Sequence, residues 1–232
     1  MFPNFKKYNL DKVLSILSLR IIPSLYLFKI IEFNEKNNEF KILNKFAIFK
    51  KIFFVKNFYA QTDKYVDIKK INEIKFKHNT EEISKKIINK IKIKNQKIFF
   101  VHIRQGDYKK INHGMKINLP IKWYKKCIDI IEKKYFNPYF IILSDEKEIF
   151  QEFENKNKFY ISKNNFLIDF CLMSLCDGGI LSASSFSWWG AYFAKNRNND
   201  AFFIAPKYWM GFSKKKWFPK NIKTNFFNYE DI

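Results

Sequence analysis

Residues 99–108, Phe-Phe-Val-His-Ile-Arg-Gln-Gly-Asp-Tyr, carry an apolar run into three side chains of chemical use, His102, Arg104 and Asp107. The run reads as a buried strand, and a strand that ends in polar groups ends at a site. In an open α/β sheet, ligands lie outside the carboxyl ends of the strands, where loops present side chains without leaving backbone groups unpaired. An arginine at such an end points to an anionic ligand, because its planar fork matches phosphate oxygens in two-point contact. One charge-assisted hydrogen bond of this kind contributes roughly 1.5–3 kcal/mol. The residue type is selective here, since Arg20, Arg104 and Arg197 are the only arginines in a lysine-rich chain. The same residues also permit a plainer reading, an Arg104–Asp107 salt bridge that caps a turn.

A second candidate phosphate holder lies further along. Leu167, Phe170, Met173 and Leu175 recur at helical spacing, with Asp169 and Ser174 interrupting. Asp177-Gly178-Gly179 is predicted to stop that helix, and Ile180-Leu181 to form a short buried strand. The serines of Ser182-Ala-Ser-Ser-Phe-Ser-Trp-Trp-Gly-Ala191 then open another helix, where Ser184 and Ser185 are N-cap candidates. A helix start with unpaired N–H groups and a positive dipole end receives phosphate readily. The chain has six glycines and neither G-x-G-x-x-G nor G-x-x-x-x-G-K-[ST], so the common nucleotide-binding loops are absent.

The elements that must position these groups follow from periodicity. After a lysine-rich helix over Glu81 to Lys94, the pattern predicts strand Ile98–Ile103, helix Ile121–Lys134, strand Tyr139–Leu143, helix Asp169–Leu175, strand Ile180–Leu181, helix Ser185–Lys195 and strand Ala201–Ile204. Strands alternating with helices imply a parallel sheet in an α/β fold. Pro120 suits the first turn of its helix. Trp188, Trp189, Tyr192 and Phe193 fall on all sides of theirs and read mostly as core packing. Val13 to Ile31 is apolar, but Arg20 and Pro23 interrupt it and it holds no charge-free run of membrane-spanning length; it reads as an amphipathic helix.

Composition narrows the function classes. A formal charge of +21 and a pI near 9.7 suit a polyanion or an acidic membrane surface. Yet lysine, isoleucine, asparagine and phenylalanine run high together, as in an AT-rich genome, and the lysines are scattered as on a solvated helix face. Cys127, Cys171 and Cys176 are odd in number, sit in apolar contexts and read as reduced thiols, which suggests the cytoplasm. His78, His102 and His113 are too far apart to argue for a metal. No Asp-x-Asp is present to bridge a divalent cation to a diphosphate. Asp145, Glu146 and Glu148 are acidic near a strand end, and each reads more readily as a surface residue than as a general base.

Three blocks in order, His-x-Arg-x-Gly-Asp-Tyr at 102–108, Leu143-Ser-Asp145, and Asp169 through Ser-Ser-Phe-Ser-Trp-Trp-Gly-Ala191, resemble the α-1,2-fucosyltransferases of glycosyltransferase family 11. Phe58-Tyr-Ala-Gln61 with Lys64-Tyr65, and Ile204-Ala-Pro-Lys-Tyr-Trp209, resemble two further blocks of that family. The resemblance implies a GT-B architecture of two Rossmann-like domains, with residues 1–96 on the acceptor side and 97–232 holding the donor. It implies inverting, metal-independent transfer of L-fucose from GDP-fucose to the 2-hydroxyl of a terminal galactoside, in surface glycan synthesis, with no cofactor. Arg104 would contact the diphosphate and act catalytically, His102 and Asp169 the guanine, and Ser184 and Ser185 a phosphate, while Asp107 would orient Arg104 or its loop. The acceptor would be a galactose-terminated glycan, carried by a lipid at the inner face of the cytoplasmic membrane, where the basic chain could sit peripherally; nucleic acid is not an expected partner.

The pattern departs from the family at three places. Gln105 stands where a second arginine is common, which predicts weaker donor binding, and Ala183-Ser-Ser replaces Asn-Ser-Ser. Nothing in Met1 to Ile31 resembles the family's leading G-G-L-G-N-Q strand and turn, so the N-terminal domain is expected to be truncated. Two alternatives therefore stay beside the enzyme: an inactive homologue that only binds the GDP-sugar, and a basic module for polyanions or membrane surfaces.

Overall fold

The computed structural model describes residues 28–34, 39–42, 49–56, 71, 73–91, 96–109, 117–154 and 157–232. The chain divides into two compact units, 1–60 and 61–232. In the first, β1 (Phe28–Asn34) pairs antiparallel with β2 (Glu39–Ile42) and parallel with β3 (Phe49–Lys56). The helix expected up to Ile31 is thus overturned at Phe28–Ile31, where aromatic and β-branched residues favour a strand that two neighbours pair. Its part from Val13 to Leu27 lies outside the described residues, as do the Phe58–Gln61 and Lys64–Tyr65 block, Arg20 and His113.

The second unit contains α1 (His78–Ile91), β4 (Ile98–Ile103), α2 (Ile121–Lys134), β5 (Tyr139–Ser144), β6 (Phe159–Ile161), α3 (Phe166–Leu175), β7 (Gly178–Ile180), α4 (Ser185–Arg197), β8 (Phe202–Pro206) and β9 (Phe227–Glu230). Its six strands lie in the order β6-β5-β4-β7-β8-β9, all neighbours parallel. Counted from β4, that order is 3-2-1-4-5-6, the doubly wound Rossmann sheet. Chain direction across the sheet reverses between β4 and β7, and the crevice outside their carboxyl ends is where such sheets take ligands. Helix α1, placed by sequence ahead of a boundary at residue 96, packs within this unit: Ser84 is fully buried and its hydroxyl lies 3.5 Å from the Ile168 carbonyl of α3.

Side-chain alternation along β4 builds both faces. Phe99, Val101 and Ile103 pack with Trp123, Tyr124, Ile128 and Ile131 of α2. Ile98 and Phe100 pack with Leu172 and Met173 of α3 and Trp188 of α4. Full burial of each such side chain contributes about 1.5–3 kcal/mol, so a strand dressed on both sides is the anchor of the unit. Parity then puts His102 on the α3–α4 side, one residue from the strand end.

Gly178 and Gly179 are strand, not the helix stop expected of them. A Cβ on Gly178 would stand 2.0 Å from the Phe202 carbonyl oxygen, and one on Gly179 would stand 2.5 Å from the Phe100 ring. Asp177 just before them joins the sheet by accepting from the Ile98 N–H at 3.0 Å. The helix is ended instead by Arg197, which donates to the carbonyls of Ser174, Leu175 and Cys176 at 2.7–3.0 Å. These are the last carbonyls of α3, where a cation also meets the negative dipole end. Trp188 and Tyr192 stack within the core at 5.3 Å, and the three cysteines are free and buried. Among the described residues, no helix is long and apolar enough to cross a membrane.

Candidate functional site

A cleft of about 510 Å³ opens at the carboxyl ends of β4 and β5 and the starts of α3 and α4. His102, Arg104, Asp107, Asp169, Ser184 and Ser185 all line it, so the structure brings every sequence-predicted site residue to one place. Tyr108, Asp145, Asn164, Phe166 and Phe186 join them.

Arg104 begins the loop after β4. Its guanidinium meets Asp107 at 2.8 Å and Asp145 at 3.2 Å, and lies over the Tyr108 ring with 5.7 Å to the ring centre. The plainer reading of the decapeptide holds: the salt bridge exists, and it fixes an arginine that is still about a third exposed to the cleft. A guanidinium has five N–H donors, so two carboxylate contacts leave others for a ligand. Asp145 is a surface residue, as its sequence position suggested, but one tied into the loop. Its second oxygen accepts from the Gln105 N–H at 2.9 Å, so both oxygens are engaged in holding the loop. The Tyr108 hydroxyl donates to the Ala183 carbonyl at 2.9 Å and ties this loop to the turn before α4.

Gln105 does not face the cleft. Its amide donates to the Leu119 carbonyl at 2.7 Å, its oxygen accepts from Asn118, and it is buried away from the cleft lining. The expectation that this residue weakens ligand binding is corrected accordingly. Gly106 is required by Asp145: an added Cβ would lie 2.5 Å from the carboxylate oxygen that pairs Arg104. Gly106→Ala should displace that carboxylate and weaken binding of an anionic ligand about tenfold, at a stability cost of about 1 kcal/mol, measurable by calorimetry and thermal melting side by side.

On the opposite wall, α4 starts as predicted. Ser184 is its N-cap and accepts from the Phe186 N–H at 3.3 Å, and Ser185 follows it, exposed. Ser187 steadies the turn from beneath by donating to the carbonyls of Ser182 and Ser184. The first-turn N–H groups of a thirteen-residue helix therefore border the cleft. Asp169 sits in the first turn of α3, itself capped by Asn165, and accepts from the Ser162 hydroxyl. Burial outweighs that hydrogen bond and pushes the Asp169 carboxyl up to about 6. Phe166, one turn earlier, is 68% exposed at the rim.

His102 is 6% exposed, with Nδ1 2.7 Å from Ser182 Oγ and its ring tilted against Phe186 at 5.5 Å. Burial first, and the Arg104 charge second, bring it down to about 3, so the ring is neutral at ordinary pH. Arg104 is the one cation among the described lining residues, against the carboxyls of Asp107, Asp145 and Asp169. Attraction for an anion is thereby concentrated between Arg104 and the start of α4. No three His, Cys, Asp or Glu side chains among the described residues come together as a metal cluster.

Fold and site define a Rossmann-type α/β unit with an anion-ready cleft at the switch point of its sheet. The sequence profile of Glycosyl transferase family 11 matches residues 7–229, and the chain belongs to that family. It is 32% identical to the O-antigen biosynthesis glycosyltransferase WbnK of Escherichia coli over 145 residues, 60% of this chain and 45% of that protein. It is 32% identical to an alpha-1,2-colitosyltransferase of Escherichia coli over 118 residues, 47% of this chain and 40% of that one. The chain thus spans less than half the length of these curated relatives. Among solved structures it is similar to the fucosyltransferase NodZ from Bradyrhizobium, with a TM-score of 0.38 and 14% identity over 52% of this chain and 43% of that one.

Proposed function

We propose that this glycosyltransferase moves L-fucose from GDP-fucose to the 2-hydroxyl of a galactose-terminated glycan, with inversion and without a metal ion, in surface glycan synthesis. One observation carries the reading: a single cleft holds a carboxyl and a neutral imidazole suited to guanine, together with an arginine and a helix start suited to a diphosphate. Asp169 accepts from the guanine N1–H and exocyclic amine, a pairing that adenine, with an acceptor at N1, does not offer. Arg104 and the Ser184–Ser185 turn receive the phosphates, and Asp107, Asp145 and Tyr108 hold the arginine in place.

Cleavage of the fucose–phosphate bond builds positive charge on the sugar and negative charge on the leaving diphosphate. A fixed guanidinium aimed at the developing charge favours the separation without reorganising at the moment of reaction. Lysine-rich surroundings steer the anionic donor inward, and bring the chain to an anionic inner leaflet where a lipid-linked acceptor is presented.

The test is titration of the purified chain with GDP, ADP and GDP-fucose in chelator, followed by a transfer assay on a terminal galactoside. Guanine-selective binding and a fucosylated 2-hydroxyl are expected. Binding without transfer reduces the chain to a GDP-sugar binder. Absence of any guanine preference in a folded protein overturns the reading.

A further inference from the structure

His102 can offer the cleft either a hydrogen-bond donor or an acceptor, and the choice is made outside the cleft. Its Nδ1 is engaged with Ser182 Oγ at 2.7 Å, which leaves Nε2 for a ligand. A neutral imidazole carries one N–H, so the direction of the Ser182 bond decides what Nε2 is. Ser182 is 1% exposed and does not line the cleft itself.

The deciding group is Ser182 itself. Its side chain is buried, and His102 Nδ1 is the hydrogen-bond partner of its hydroxyl. Suppose His102 carried its proton on Nδ1 and donated to Ser182. The serine proton would then be left buried with nothing to receive it, since the neighbouring Tyr124 hydroxyl stands outside hydrogen-bond geometry. In the opposite arrangement Ser182 donates to a bare Nδ1. Its proton then faces a lone pair, and only surplus oxygen lone pairs go unused. Unpaired buried donors are rarer and costlier than under-used acceptors, because an oxygen has more than one lone pair to spare.

We infer that Ser182 holds His102 in the Nε2–H tautomer, so that the imidazole presents an N–H to the ligand. The consequence for specificity rests on the guanine reading above. An N–H matches the guanine O6 acceptor and opposes the amino group that adenine carries at the same ring position. Base choice is then made by two groups of opposite sense, Asp169 accepting and His102 donating. Ser182 is a positioning residue that acts on the ligand only through the ring it orients.

The tautomer is read directly by long-range proton–nitrogen correlation on the chain labelled with nitrogen-15 histidine. Signals of the three histidines are assigned by substituting His78 and His113. The expected spectrum shows His102 with a protonated Nε2 and a bare Nδ1. Ser182→Ala should mix the two tautomers, and Ser182→Thr, which keeps the hydroxyl, should restore one. In the same variants GDP affinity should fall about tenfold for alanine and return for threonine, with ADP affinity little changed. A protonated Nδ1 in the unsubstituted chain overturns the inference, whether or not Ser182→Ala folds. A protonated Nε2 in a chain that binds no nucleotide upholds the tautomer and counts instead against the guanine site.

Discussion

Arg104→Ala should lower fucosyl transfer about 10²–10³-fold while leaving the chain folded. The separation of the two effects follows from what the guanidinium touches. Its partners Asp107 and Asp145 are partly exposed, and ion pairs of that kind are worth about 0–1 kcal/mol to stability. Removing one end of them therefore costs little in folding. In the cleft the same group is the one cation among the described lining residues, and in the proposed reaction it faces the place where negative charge would grow as the sugar departs. Its contribution is larger in the transition state than in the bound donor, so turnover should fall more than KM for GDP-fucose rises. Arg104→Lys should recover no more than about a tenth of the activity, because a point charge on a flexible stem has neither the fork nor the seat over Tyr108. Steady-state kinetics on the three proteins, with melting curves as the control, decide it. A variant that keeps a third of the unsubstituted rate would remove Arg104 from the mechanism.

How much of this was legible in the sequence depends on whether the cause is local. The bounds of β4 and α2 match those read from the chain, because Ile98–Ile103 is a continuous apolar run and Ile121–Lys134 has sustained helical spacing. The α/β class follows from the same alternation. Arg104, His102, Asp107, Ser184 and Ser185 could be picked out because each stands where an apolar element begins or ends, whereas Asp169 was marked by the resemblance to the family.

Asp145 could not be given its partner that way. It faces Arg104 only because β5 lies parallel to β4 with Ser144 beside Ile103, a register that no local pattern specifies. The same holds for the inward turn of Gln105, which answers to Leu119, and for Gly178 and Gly179, whose place in a strand is imposed by Phe202 and Phe100. β6 is three residues long, too short for periodicity to register, and β9 escaped for a similar reason. Nothing in the sequence singled out Tyr124, and its position near Ser182 required the α2–sheet packing.

Asp169→Asn should cost about 30-fold or more in GDP affinity and at the same time stabilise the chain at neutral pH, two effects of opposite sign from one carboxyl. The binding loss arises because an amide meets guanine with a donor where an acceptor is needed; adenine, with an acceptor beside a donor, suits the amide better, so the preference for GDP over ADP should collapse. The stability gain follows from the direction of the carboxyl's shift. Its folded value of about 6 lies above the ordinary value of 3.8, so the folded chain holds the proton more tightly than the unfolded one. Folding is therefore penalised above about pH 4, and fully so above about pH 6, where the carboxylate must be charged in a mostly buried place. Asparagine keeps the bond from Ser162 and removes the penalty, about 1 kcal/mol after allowance for partial exposure, and the gain should vanish near pH 4. The unsubstituted chain carries the matching signature in binding. GDP affinity should be level above about pH 7 and fall toward tenfold per pH unit once the carboxyl protonates below about 6. Calorimetry across pH on both proteins checks the pair of effects. Equal GDP affinity in the asparagine variant would sink the guanine role, whereas lost affinity with no gain in stability would mean that the carboxyl is better solvated than its burial implies. If both effects appear, the chain keeps a carboxylate where folding alone would discard it, and the bound base is the reason it stays.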